Sequence, residues 1–132
     1  MPTTTLLFAS KLATEYFNPT TGYQVKALCA ELGVKPAAFA RVTHRKTESV
    51  AKLFSGKFVN PKEGETLQVL RQMHQILAVF RAMDWSKDDV ARWMKTPLPT
   101  DEGQTPLDVL AKGKGQGLVD RLVALATGNV GG

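Results

Sequence analysis

The sequence predicts an all-α fold: a helix-turn-helix subdomain in residues 1–64, then a long helix leading into a second small helical subdomain in residues 65–132. Three observations lead there. At 132 residues and 43% apolar content the chain fits one ordinary domain, or two small helical subdomains sharing a core. Apolar residues recur at helical spacing, and helix start and stop residues interrupt that periodicity at short intervals.

The first twenty residues are weakly patterned. Thr3, Thr4 and Thr5 precede an apolar patch that we assign to a helix over Leu6–Phe17, and Asn18-Pro19-Thr20-Thr21-Gly22 is a turn cluster. From Tyr23 to Leu32 the positions Val25, Leu28, Cys29 and Leu32 form one helical face, with Gly33 suited to the C-terminal cap. Pro36 stands where a helix's first turn needs no N–H, and Ala37, Phe39, Ala40 and Val42 give that helix its packing side. Thr43-His44-Arg45 breaks it. Thr47–Phe54 comes next, with Val50, Leu53 and Phe54 facing inward and Lys46, Ser49 and Lys52 outward. A short helix, a tight turn and a second short helix make a helix-turn-helix.

Ser55-Gly56-Lys57 ends the second of these helices, and Asn60-Pro61-Lys62-Glu63-Gly64 reads as a linker. The longest helix runs from Glu65 to Met83. Leu67, Leu70, Met73, Leu77 and Phe80 form a stripe that Val69, Ile76 and Met83 widen, so it has contacts on two sides: its own subdomains, or a second copy of the chain. His74, beside the stripe, reads as a surface or internally satisfied histidine. Ser86 with Asp89 resembles a capping box, Asp88 and Asp89 suit the positive end of the helix dipole, and Lys95 suits its far end. Val90, Trp93 and Met94 make that helix's inner face.

Thr96-Pro97-Leu98-Pro99 must leave the helical region. Thr105 as N-cap, Pro106 at the first helical position and Asp108 in the first turn start another helix, buried through Leu107 and Leu110 and stopped at Gly113. A glycine-rich turn, Gly113 to Gly117, then feeds a last amphipathic segment. Leu118, Val119, Leu122 and Leu125 lie on one side of it, and Gly128 ends it.

Charge is distributed unevenly. Residues 1–64 hold nine Lys/Arg against four Asp/Glu, and residues 65–132 hold eight of each, so the whole formal net charge of +5 lies in the first half. Clustered positive charge attracts a polyanion, and release of its counterions supplies affinity; a plain solvated basic surface is the alternative. A helix-turn-helix places its second helix in the major groove of duplex DNA. The candidate contacts are Arg45, Lys46, Thr47, Ser49, Lys52 and Lys57. Arg45 is the expected reader of a base, because a guanidinium pairs with guanine through two hydrogen bonds; Lys46, Lys52 and Lys57 are expected on phosphates. Two features run against this. His44 occupies the turn position often held by glycine, and Glu48 brings a negative charge to the same face.

Other function classes find no support. No window approaches eighteen apolar residues, and Leu6-Leu7-Phe8 lacks the basic region that precedes a signal sequence, so we expect a cytoplasmic protein without a membrane partner. The single cysteine, Cys29, lies in an apolar helical pattern, in keeping with a reducing compartment. His44 and His74 belong to no metal-ligand frame, and no nucleophile and base share a motif; we expect no catalytic residue, metal or cofactor. The run from Lys112 to Gly117 lacks the GxxxxGK[ST] spacing of a phosphate-binding loop.

The order Trp93, Pro97, Thr105-Pro106-Leu107, Leu110, Gly113, Val119, Leu122, Gly128 resembles the toxin-binding domain of the Xre/MbcA/ParS antitoxins, over roughly the last third of the chain. From about Gly22 to Phe80 the arrangement is also similar to their helix-turn-helix half. The resemblance implies an antitoxin of a type II toxin-antitoxin system that sterically neutralises a RES-domain, NAD-degrading toxin and, with it, represses their common operon by binding operator DNA. It implies toxin contacts at Trp93, Pro97, Thr105, Pro106, Leu110, Gly113 and Arg121, with Asn129 and Val130 in a tail able to extend into a cleft. A homodimer, or a larger assembly with the toxin, is the expected state. The residues leave two other readings open: a stand-alone regulator whose C-terminal half dimerises, and a protein-interaction adaptor with a degenerate helix-turn-helix.

Overall fold

The computed structural model describes residues 15–60 and 64–128. Of the helix expected over Leu6–Phe17, only Glu15 and Tyr16 are described as helical; the rest of that expectation, the linker residues Pro61-Lys62-Glu63 and the tail from Asn129 lie outside the described residues. The turn cluster closes a hairpin of two short antiparallel strands, β1 (Phe17–Asn18) and β2 (Gly22–Tyr23). Asn18 Oδ1 accepts the backbone N–H groups of Thr20 (2.8 Å) and Thr21 (3.2 Å), fixing the turn. Tyr23 also exchanges backbone hydrogen bonds with Val59, at 2.7 and 2.8 Å. Strands of two residues carry no alternation, so nothing in the sequence pattern announces this pairing, and the first complete helix starts at Val25 rather than Tyr23.

That helix, α1 (Val25–Leu32), buries Val25, Leu28, Cys29 and Leu32 and ends at Gly33 in the left-handed region, φ 68°. Gly33 lies against Ala91, where a side chain would collide. The helix-turn-helix is formed by α2 (Pro36–Thr43) and α3 (Thr47–Leu53), and the long helix is α4 (Gly64–Ala82). In α5 (Lys87–Met94) the Ser86 hydroxyl accepts the Asp89 N–H at 3.1 Å, but the Asp89 carboxylate turns to Arg92 at 3.2 Å. The capping box expected there is therefore half formed. A 3₁₀ turn (Pro99–Asp101) leads to α6 (Pro106–Ala111) and α7 (Gly115–Ala126).

Two expectations for α7 are corrected. Gly115 and Gly117 are helical, and the turn after α6 shrinks to Lys112–Lys114. Gly115 begins the helix because a β-carbon there would strike Gln72 Oε1 and Leu110 Cδ2, so the glycine lets α7 start directly on α4 and α6. Leu125 does not share the buried face; it is 50% exposed.

The long helix is the spine. It packs against α1 and α2 on the N-terminal side and α7 on the C-terminal side, while α1 also meets α5 and α2 meets α6. One apolar cluster runs through both halves, from Leu28 and Phe39 through Met73 and Phe80 to Leu110 and Leu118. Val69, Leu70, Met73, Ile76, Leu77 and Phe80 are buried within the single chain, so most of the wide stripe of α4 is internal core, while Leu67 and Met83 are half-buried.

Candidate functional site

The basic face is built on α2, its turn and α3. His44 takes the left-handed conformation, φ 56° and ψ 39°, that the turn demands. Its N–H caps α2 through the Arg41 carbonyl, and its Nε2 lies 2.6 Å from the carbonyl of Ala111 on α6. Inside the motif, Val50 is buried, Phe39 and Phe54 meet edge to face at 5.7 Å, and the buried Thr43 hydroxyl donates to the Phe39 carbonyl at 2.7 Å. This packing turns Lys46, Thr47, Lys52 and the nearby Lys57 to solvent, with Ser49 half-buried.

Arg45 is also exposed, but its Nε donates to the hydroxyl of Thr66, a buried residue of α4. The side chain expected to read a base is thus engaged within the fold. Glu48 has a local reason for its place: it lies in the first turn of α3, where the helix dipole favours a carboxylate.

The second face surrounds the loop from Thr96 to Thr105. Leu98 and Gln104 pair as an isolated bridge, with the Leu98 N–H 2.8 Å from the Gln104 carbonyl. Arg121 of α7 reaches across to Asp101 at 2.8 Å and Thr100 at 3.2 Å, bracing the 3₁₀ turn. Thr105 and Asp108 form a complete capping box at 3.0 and 3.1 Å. Hydrogen bonds to the Asp108 carboxylate, led by the Thr105 backbone N–H and then the Arg41 guanidinium, hold its pKa below the usual range.

These contacts divide the residues expected to touch a partner. Pro106 and Leu110 are buried in this chain, Leu110 at the wall of a pocket; Thr105 caps the helix, and Arg121 holds the loop. Pro97 and Gly113 are exposed, Gly113 in the left-handed region at φ 76°. Trp93 is half-buried and stands edge-on to Phe80 at 4.8 Å. Asn129 and Val130 lie outside the described residues.

The sequence reading missed Trp85, whose ring lies tilted against the same Phe80 at 4.5 Å and which is 41% exposed beside Trp93. The available signal was a large aromatic in the break between Met83 and the Ser86 cap, a position that buries little.

Among the described residues no group of three or more His, Cys, Asp or Glu is placed to hold a metal. Cys29 is fully buried and its thiol pKa is pushed up by that burial, which suppresses the nucleophilic thiolate. The described surface presents one basic face and one face with exposed apolar residues.

No family model matches the sequence, and no curated protein matches it. Among solved structures, a chain in the crystal structure of the M. tuberculosis MbcT-MbcA toxin-antitoxin complex is similar, with a TM-score of 0.63 and 22% identity. The two chains share one fold. The likeness covers 84% of this chain and 96% of the chain from the MbcT-MbcA complex, too much for the helix-turn-helix alone, so both halves and their packing are shared.

Proposed function

We propose that this protein is an antitoxin that binds a RES-domain, NAD-degrading toxin and neutralises it by steric cover. The observation that carries the reading is the fold held in common, over both halves, with a chain of a toxin-antitoxin complex. Steric cover needs shape and apolar contact rather than reactive groups. Exposed Pro97 and Gly113, half-buried Trp93 and exposed Trp85 on the C-terminal half supply such a surface. The helix-turn-helix half binds operator DNA and represses the operon, with Lys46, Lys52 and Lys57 on phosphates and Thr47 and Ser49 near the groove. The test is co-expression with the RES-domain protein encoded beside it in the native host. Growth and cellular NAD should be preserved and the two proteins should purify together; a toxin that stays active and separate ends the reading.

A second reading, the protein-interaction adaptor, is favoured by the Arg45–Thr66 hydrogen bond, which occupies the expected base reader. It differs in one measurable respect. At physiological salt the adaptor binds the upstream promoter fragment no better than an unrelated duplex, whereas the repressor prefers it.

A further inference from the structure

Where α2, α4 and α6 converge lies a pocket of about 180 Å³ walled by Val42, Val69 and Leu110. Gln72 of α4 lines it and is only 3% exposed. No side-chain hydrogen bond of its carboxamide is seen among the described residues. Its oxygen and nitrogen are not among the fully buried unpaired atoms, so the amide keeps a trace of solvent contact through the pocket, and a ligand that pairs with it displaces little hydration. The Gln72 Oε1 lies on the side of Gly115, in the space that a β-carbon on that residue would need.

The surroundings narrow what could pair with it. Glu65 and Lys112 stand at the same pocket with opposite charges, which gives no preference for an anion or a cation. The neighbouring Ala111 carbonyl is already engaged by His44, and Gln68, which also lines the pocket, is exposed at its rim, so Gln72 is the buried side-chain amide on offer. A cavity of about 150 Å³ accommodates a single benzene ring, so this one suits one ring-sized side chain. Gly113 borders it with open space where a β-carbon would stand, allowing a partner's backbone to approach.

We infer that this pocket anchors one tyrosine side chain of the protein partner, with its ring between Val42, Val69 and Leu110 and its hydroxyl on the Gln72 carboxamide. The inference rests on the toxin-binding reading and names a contact for it. The arrangement uses both properties of tyrosine, an apolar ring and a polar tip that requires a partner once buried.

The first probe is p-cresol, the tyrosine side chain as a free molecule, titrated against the full chain and monitored by the ¹H–¹⁵N signals of side-chain and backbone amides. p-Cresol should move the Gln72 side-chain amide and the Gly113 N–H, while toluene, lacking the hydroxyl, should leave the Gln72 amide in place. Gln72→Leu should erase that preference. Equal responses to the two probes, or shifts confined to other parts of the chain, would overturn the proposal. Next, Gln72→Leu and the rim variant Gln68→Trp, each confirmed as folded by circular dichroism, are compared with wild type for binding the RES-domain protein. Each should weaken binding about tenfold; unchanged affinity in both would overturn the anchor and leave the antitoxin reading standing. If wild type binds no such protein but p-cresol still titrates Gln72, the toxin reading falls and the pocket's preference for an aryl hydroxyl is upheld.

Discussion

The Arg41 guanidinium lies 2.9 Å from the Asp108 carboxylate, 67 positions further along the chain. It fastens the first helix of the helix-turn-helix to α6, and the His44–Ala111 contact, spanning the same number of positions, repeats the attachment at that helix's end. The basic face and the loop face are therefore parts of one packed body, and a change at either contact is felt by both.

Asp108→Ala should destabilise the protein by roughly 1 kcal/mol near neutral pH, mostly through the lost cap, since an exposed ion pair adds little. The pH dependence has a fixed sign. The folded pKa of Asp108 lies below its unfolded value, so its contribution is complete above about pH 4, the ordinary aspartate value, and is lost as pH falls through the lower folded value. Urea unfolding of wild type and variant across this range should show the gap closing in acid. A gap that persists at the acid end would contradict the assignment.

At His44 two substitutions should differ. A non-glycine residue in the left-handed region carries a penalty of roughly 1 kcal/mol, and the contact with Ala111 offsets part of it. His44→Gly removes both and should change stability little. His44→Ala keeps the penalty and loses the contact, so it should be less stable than the glycine variant by about 1 kcal/mol. Chemical denaturation of the three proteins ranks them directly.

Two glycines of α7, two residues apart, should respond oppositely to alanine. Gly117 faces open space, and Gly117→Ala should stabilise by up to about 1 kcal/mol through helix propensity. Gly115→Ala drives a methyl group into Gln72 and Leu110 and should lower the melting temperature. Thermal unfolding that moved both in the same direction would mean α7 starts elsewhere.

Cys29 should resist a thiol reagent such as Ellman's in the native protein and react fully in denaturant, because it is buried and its thiol is held protonated. Rapid native labelling would require α1 to detach from α4.

Lys52→Ala should weaken binding to every duplex alike and reduce the salt slope by about one unit. Arg45→Ala should also lower thermal stability, because Arg45 is the donor to Thr66. An Arg45 variant with unchanged melting temperature but altered base preference would return that side chain to the groove.

The helices were legible because each carries its own instructions: apolar spacing, Pro36 and Pro106 at first turns, Thr105 with Asp108 at a cap, Gly33 at an end. His44 at the turn counted against the motif in the sequence, yet the residue adopts the left-handed conformation that the turn needs. Contacts between distant segments were not. Nothing local says that His44 will find the Ala111 carbonyl, that Arg45 will turn back to Thr66, or that Gly115 is required by Gln72 rather than by a turn. The same limit applies to the candidate surface. Residue order marked Leu110 and Gly113 alike, but burial separates them, and the exposed Trp85 stands outside the recognisable motif.

Because α4 belongs equally to the N-terminal and the C-terminal half, recombination between relatives cannot exchange one half freely. A foreign helix-turn-helix joined at the start of α4 would have to match Thr66 for its arginine, Val69 and Leu70 for its apolar face, and Asp108 for its basic contact. The two halves should therefore descend together, their facing residues changing in step, even where the surfaces they present to other molecules diverge quickly.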